Sequence, residues 1–300
     1  MGEGGSFTGI NLDASYNPRL QPSSILAYST GSAELNLTYC YYPLSGGACP
    51  SSPHTGNNGN ITHIANGVTS SRSETFAYDP LNRIASAASG AWGESYQIDP
   101  WGNLTQFQSY ESLPFEESSA SMAATAQNQI SGYCYDAAGN LLAETSSPCP
   151  PTSPTYTYNA ENELTSTAGV NYFYDGDGKR VEKYMATDPP FYELYWYGTG
   201  TDALEETDGT GSTTDSAFHE YVFLNGSRIA RRDASSSGDV EYYFADDLDS
   251  TRILTDSSGN TLEDIDYCPY GNECYVATET STNNYKFTHK EFDTESNLYN

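Results

Sequence analysis

Tyr96-Gln-Ile-Asp99-Pro-Trp-Gly102-Asn103-Leu104-Thr105 is one copy of a phrase that runs through the chain. Its best companions are Phe76-Ala-Tyr78-Asp79-Pro-Leu-Asn82-Arg83-Ile84, Tyr133-Cys-Tyr135-Asp136-Ala-Ala-Gly139-Asn140-Leu141, Tyr156-Thr-Tyr158-Asn159-Ala-Glu-Asn162-Glu163-Leu164-Thr165 and Tyr172-Phe-Tyr174-Asp175-Gly-Asp-Gly178-Lys179-Arg180-Val181. Weaker copies start at Tyr16, Asn58 and Tyr221. Residues i and i+2 of a strand face the same way, so the two aromatics of Tyr-x-Tyr share one side of a sheet. The acidic or amide residue that follows opens a turn, because its side-chain oxygen accepts a backbone N–H two residues on. Asp79, Asp99, Asp136, Asn159 and Asp175 are therefore expected to open turns, and Gly102, Gly139 and Gly178 to close them in the left-handed conformation of a bulged type I turn. Each phrase reads as strand, turn, strand. A single hairpin cannot bury its aromatic face, so the hairpins must stack. The predicted fold is all-β: hairpins stacked into a long, curved, spiralling antiparallel sheet, either part of a shell or an elongated stack.

Composition agrees with this fold and narrows the function. The 300 residues include 26 Tyr, 26 Gly and 15 Pro, which favours many short aromatic strands punctuated by turns. Twelve basic residues against 40 acidic ones give a formal charge of -28, so a phosphate backbone or an anionic membrane would be repelled. No apolar run reaches the length of a membrane span. The first residues, Met1-Gly2-Glu3-Gly4-Gly5, lack the basic and apolar regions of a secretory signal, and the sequence is expected to be a stretch of a longer chain. The six cysteines fall into three local couples, Cys40 with Cys49, Cys134 with Cys149 and Cys268 with Cys274. Local disulfides are expected, against the alternative of six buried thiols, and with the acidity they favour an exported protein. Zinc is disfavoured, because no CxxC occurs and His54, His63, His219 and His289 lie apart from the cysteines.

The phrase resembles the YD repeat of the rearrangement hot spot (Rhs) family, bacterial toxin-delivery proteins related to the shell of animal teneurins. Further resemblance lies downstream. Tyr242-Tyr-Phe-Ala-Asp-Asp247-Leu248-Asp249-Ser250-Thr251 is similar to the opening of the Rhs-associated core, with Asp247 and Asp249 where the family has His and Gly. Asp266-Tyr267-Cys268-Pro269-Tyr270-Gly271-Asn272-Glu273 resembles the family's Tyr-x-Pro-Phe-Gly-Glu. The tail from Phe287 to Tyr299 resembles Phe-Thr-Gly-Lys-Glu-Arg-Asp-x-Glu-Thr-Gly-Leu, with His289, Phe292 and Asn297 in place of Gly, Arg and Gly. The resemblance covers residues from about 14 to 300 and implies a diverged or repurposed core. In the family an Asp-Pro-rich cleavage segment and a variable toxin follow this core; no self-cleaving residue of that segment carries over to the sequence in hand.

Enzyme chemistry finds little support. HExxH, GxSxG and P-loop patterns are absent, so no catalytic residue, cofactor or metal is assigned. Asp175-Gly-Asp177-Gly178 starts like a calcium loop but continues with Lys179 and lacks the closing Glu, and Asp246-Asp247-Leu-Asp249-Ser250 reads as a solvated turn. Sequons at Asn36, Asn60, Asn103 and Asn225 fit turn chemistry, and the tyrosine ladders offer glycan contact as a secondary use. The expected organisation is a YD-repeat array over 1–198, a linker or long loop over 199–216 and an Rhs-core-like β region over 217–300. The expected function is a non-enzymatic scaffold, a segment of an exported shell around its own C-terminal effector. The alternatives are a cell-surface adhesive module that assembles with copies of itself and a glycan-active enzyme.

Overall fold

The computed structural model describes residues 10–29, 32–47, 49–50, 56–109, 120–187, 190–209, 219–233 and 239–300. It is 52% strand and 2% helical, which settles the all-β class. The chain divides into two compact units, residues 1–122 with 242–291 and residues 123–241 with 292–300.

In the first unit β1 (Asn11–Tyr16), β2 (Pro22–Ser29), β3 (Ser32–Cys40), β4 (His63–Asn66), β5 (Glu74–Tyr78), β6 (Ile84–Ala88), β7 (Gly93–Ile98), β8 (Leu104–Ser109) and β9 (Ala120–Ser121) form one sheet in sequence order. In the second unit β10 (Cys134–Tyr135) pairs with β11 (Leu141–Ala143). There β12 (Thr157–Tyr158), β13 (Leu164–Thr167), β14 (Val170–Tyr174), β15 (Arg180–Met185), β16 (Phe191–Tyr197), β17 (Ala203–Asp208), β18 (His219–Leu224) and β19 (Ser227–Asp233) again follow one another side by side. The chain then enters β20 (Asp239–Ala245). The first unit resumes with the antiparallel succession of β20, β21 (Thr251–Thr255), β22 (Thr261–Tyr267) and β23 (Glu273–Glu279). A last short pair, β24 (Phe292–Asp293) with β25 (Leu298–Tyr299), belongs to the second unit. Every pairing is antiparallel between neighbours in sequence, the arrangement hairpin-sized turns enforce.

The core of the first unit follows from alternation. Leu35, Leu37 and Tyr39 on β3 point inward with Ile25 and Ala27 of β2 and Ile64 of β4, and they pack with Phe244 of β20 and Ile253 of β21. Strand β21 is buried along its whole length, as a strand covered on both faces must be. The repeats and the core-like stretch thus share one interior.

Compactness divides the chain differently from composition. Within 199–216, Ala203–Asp208 is strand β17, paired with β16 and β18, so the described part of that stretch continues the sheet. Polar residues interrupt no ladder, because pairing uses backbone groups. Residues 210–216 lie outside the described residues, as do Met1–Gly5 and His54. The tail resembling the Rhs core is shared out, with Phe292–Asn300 in the second unit.

Candidate functional site: the repeat turns and the tyrosine staples

Ten turns among the described residues share one backbone plan, opening at Asn17, Asp79, Asp99, Thr125, Asp136, Asn159, Asp175, Asp246, Asp256 and Cys268. In each, the N–H of the opening residue donates to the carbonyl four residues on, and the N–H three residues on donates back to the opening carbonyl. That third residue is left-handed every time, as at Gly102 (φ 96°), Gly139 (φ 96°) and Gly178 (φ 79°). Where the opening residue is Asp or Asn, its side-chain oxygen accepts two more N–H groups; Asp79 Oδ1 takes them from Leu81 at 2.8 Å and Arg83 at 3.0 Å. Asp99, Asp136, Asn159 and Asp175 repeat this. These bonds hold the carboxyls below their ordinary range: the Arg83 N–H leads at Asp79, the Asn103 amide at Asp99, the Asn140 amide at Asp136 and the Lys179 N–H at Asp175. Both stretches weighed as cation loops form this turn, with Oδ1 of Asp175 and of Asp246 accepting its N–H groups, but the second is not the solvated turn expected, since the Asp246 side chain is 10% exposed and pairs with Arg252.

Three residues standing where the resembling family has glycine keep the glycine conformation: Asp249 at φ 60°, His289 at φ 65° and Asn297 at φ 56°. All three thus hold a left-handed backbone with a side chain in place. Leu20 closes the Asn17 turn at φ 60° and is 83% exposed, so it bears the left-handed strain with nothing packed against it. Leu20→Gly is expected to raise stability by about 0.5–1 kcal/mol in urea denaturation. The same exchange at exposed Leu81, which has no positive φ, is expected to lower it.

Neighbouring turns also hold one another. In the first unit Arg19 Nη1 donates to the Asn57 carbonyl at 2.6 Å, Asn58 Nδ2 to Asn82 Oδ1 at 2.9 Å, and Arg83 Nη1 to the Asp99 carbonyl at 2.7 Å. In the second, Asn140 Nδ2 donates to Asn162 Oδ1 at 2.8 Å and Lys179 Nζ to the Gly200 carbonyl at 2.8 Å.

A tyrosine at, or one residue past, the end of a strand makes a further connection. Tyr41 donates its hydroxyl to the Pro22 carbonyl at 2.9 Å, Tyr78 to Ile61 at 2.7 Å, Tyr174 to Leu164 at 2.9 Å and Tyr197 to Arg180 at 2.7 Å. The Tyr135 hydroxyl accepts the Ile130 N–H at 3.0 Å. Pro22, Ile130, Leu164 and Arg180 each stand five residues after the opening of an earlier turn, and Pro22, Leu164 and Arg180 start its return strand. Each such hydroxyl staples one hairpin to an earlier one, which phenylalanine cannot do. Burial raises the Tyr78 and Tyr174 hydroxyls and pushes Tyr41 up to about 12, keeping all three protonated donors. The earlier tyrosine of the phrase sits deeper. Tyr172 and Tyr195 are buried, each ring 5.1 Å from the Arg180 guanidinium.

Two charged networks tie the sequence-distant parts of each unit. In the first, Arg72 forks onto Asp264 (2.6 and 2.7 Å) and Asp266 (2.6 and 2.8 Å). Arg252 joins Asp266 to Glu74 and Asp246, and its Nε donates to the Ile265 carbonyl at 2.9 Å. In the second unit Arg180 pairs with Asp293 at 2.6 Å, and Lys183 lies 2.9 Å from Glu193 and 3.4 Å from Glu295. The core-like motifs also lock together. Thr251 donates its hydroxyl to the Tyr285 carbonyl at 2.7 Å, and Ser250 Oγ accepts the Thr288 N–H at 3.1 Å.

The first network has a pH signature. Burial pushes the Glu74 carboxyl up to about 8, against the pull of Arg252, and burial with the neighbouring Asp246 pushes Asp247 up to about 6. Both carboxyls bind protons more tightly folded than unfolded, so they favour folding as pH falls through 8 and 6. The turn aspartates work in the opposite sense, but only below about pH 4. The melting temperature is expected to climb from pH 8 to pH 5 and to drop in stronger acid, and Glu74→Gln should flatten the upper part of that curve.

The cysteines join as the local couples, Cys40–Cys49, Cys134–Cys149 and Cys268–Cys274, with Cα atoms 5.6, 5.5 and 5.3 Å apart. Buried Glu94 lies against the third bridge, where both sulfurs are spent on each other and offer no thiolate to a metal. Among the sequons, Asn60 and Asn103 have their amide nitrogens engaged within the turns, while Asn225 is exposed at the β18–β19 turn. The staples and the arginine networks are what the sequence pattern did not reveal, since their partners are backbone carbonyls or residues far along the chain.

Chains built this way are YD shells. The Teneurin YD-shell family matches residues 55–293, and the chain belongs to it. It is 26% identical over 154 residues to the tRNA3(Ser)-specific nuclease WapA of Bacillus spizizenii, a match spanning 48% of this chain and 6% of that protein. Among solved structures, TcdB2-TccC3 superposes with a TM-score of 0.72 at 18% identity, over 97% of this chain and 16% of that one. TcdB2-TccC3 without its hypervariable C-terminal region gives 0.68 at 17%, again over 97% and 16%. The structural likeness shows a shared fold, and the chain spans only a small part of each relative.

Proposed function

We propose that this chain is a structural segment of the wall of an exported YD shell, which encloses or presents a C-terminal effector carried by the same polypeptide. The observation that carries the reading is the long runs of antiparallel strands in sequence order within the sheets, several of them stapled backwards through a tyrosine hydroxyl. Such a sheet has no natural stopping point and extends by adding repeats. Three disulfides suit an oxidising compartment. The charge of -28 favours neither nucleic acid nor an anionic membrane as a partner of the wall. The residues brought together serve turn closure and ion pairing, so the wall is read as non-enzymatic.

Electron microscopy of the whole parent polypeptide tests this. Hollow particles whose C-terminal segment resists protease until the wall is unfolded are the expected result. Fibres of laterally joined copies would instead establish the assembly module, and turnover of a polysaccharide lost on mutating one acidic pair would establish the enzyme.

A further inference from the structure

A cavity of about 290 Å³ lies within the first unit, and its walls are of two kinds. Ile61, Ile64, Phe76, Ile84, Tyr267 and Phe287 make it apolar. Three acidic residues, Glu74, Asp246 and Asp247, also line it, and so does Arg252, which carries a guanidinium. That guanidinium is already shared among Glu74, Asp246 and Asp266. Asp247 makes no ion pair among the described residues: its N–H donates to the Tyr39 hydroxyl at 3.3 Å, its carboxyl is hydrogen-bonded by that hydroxyl, and it feels the Arg252 charge only at a distance. The cavity thus has three acidic residues to one guanidinium, with no cation paired directly to Asp247, and is rich in apolar contact elsewhere. Protons partly fill the shortage, since burial holds Glu74 and Asp247 well above ordinary carboxyls.

We propose that this cavity binds a small organic ammonium, whose apolar body lies against the isoleucine and aromatic walls while its cationic head meets Asp247. The complementarity is chemical and dimensional. A cavity of roughly 150 Å³ lined by aliphatic and aromatic side chains holds one benzene, so about 290 Å³ accommodates a ring with a short aminoalkyl arm. A bare metal ion fits less well, because most of the wall offers no oxygen ligand. The strongly negative protein field also concentrates cations over anions at its surface. The proposal does not depend on the shell role, since a wall segment and a free-standing domain would both carry the cavity.

The probe is phenethylamine, with 2-phenylethanol as the same body without the charge, each titrated into the whole chain at pH 7 by calorimetry. Phenethylamine is expected to bind at least about tenfold more tightly than the alcohol, and Asp247→Asn, nearly isosteric, to erase most of that margin. Ile84→Trp, which fills the cavity, is expected to abolish both. Nuclear Overhauser contacts from the probe ring to isoleucine methyls in the unaltered protein locate the site even if Ile84→Trp fails to fold. Equal affinity for the two probes, no binding of either up to millimolar concentration, or amine binding with no isoleucine contacts would each overturn the proposal.

Discussion

Replacing Arg252 with methionine is expected to lower the unfolding free energy by about 3–5 kcal/mol, measured by urea denaturation. The guanidinium is buried and holds Glu74, Asp246 and Asp266 together, so its removal leaves Asp246 in the interior without its counter-charge and Asp266 with Arg72 alone. Methionine fills much of the volume, which separates the electrostatic loss from a packing loss. Arg232→Met is the control. That arginine pairs with Glu220 at the surface, where both side chains are more than a third exposed, and its loss should cost no more than about 1 kcal/mol. A difference of less than about 1 kcal/mol between the two variants would mean that the buried network is a passive feature of the interior.

Trp92→Ala is expected to cost a similar amount, about 3–5 kcal/mol. The indole is 0% exposed and packs with Ala87 and with Cys268 and Cys274, so it fastens the β22–β23 hairpin to the repeat strands of the first unit. Truncation opens a space beside the disulfide, and dithiothreitol should then reduce Cys268–Cys274 faster than in the unaltered protein. Stability lost without faster reduction would place the effect elsewhere in the unit.

The turns were legible in the sequence because their chemistry is local. Asp79, Asp99 and Asp136 act on backbone groups two and four residues away, so the spacing of acid and glycine states the geometry directly. Left-handed Leu20 was not legible by type, since leucine avoids that conformation when free to choose, and Asp249 and His289, of types that adopt it more readily than leucine but far less than glycine, gave only a weak signal. The staples were hidden for another reason. Tyr78 and Tyr174 reach backbone carbonyls, which carry no residue signature, so the repeated tyrosine showed only as an aromatic. Arg72 meets Asp266 across 194 residues, and no local pattern encodes that distance. Composition misled at 199–216, where Thr and Gly suggested a linker while the backbone paired as β17.

The account rests on hairpins locked to earlier hairpins through hydroxyl groups, and hydrogen exchange read by mass spectrometry tests this most directly. In a Tyr78→Phe, Tyr174→Phe, Tyr197→Phe variant, each missing hydroxyl leaves a carbonyl without its donor at a cost of about 1–3 kcal/mol. The predicted result is faster exchange concentrated around Ile61, Leu164 and Arg180, whose carbonyls accept the hydroxyls, with no change for Tyr16→Phe, whose ring is largely exposed. Unaltered exchange at those three positions in a folded triple variant would contradict the account.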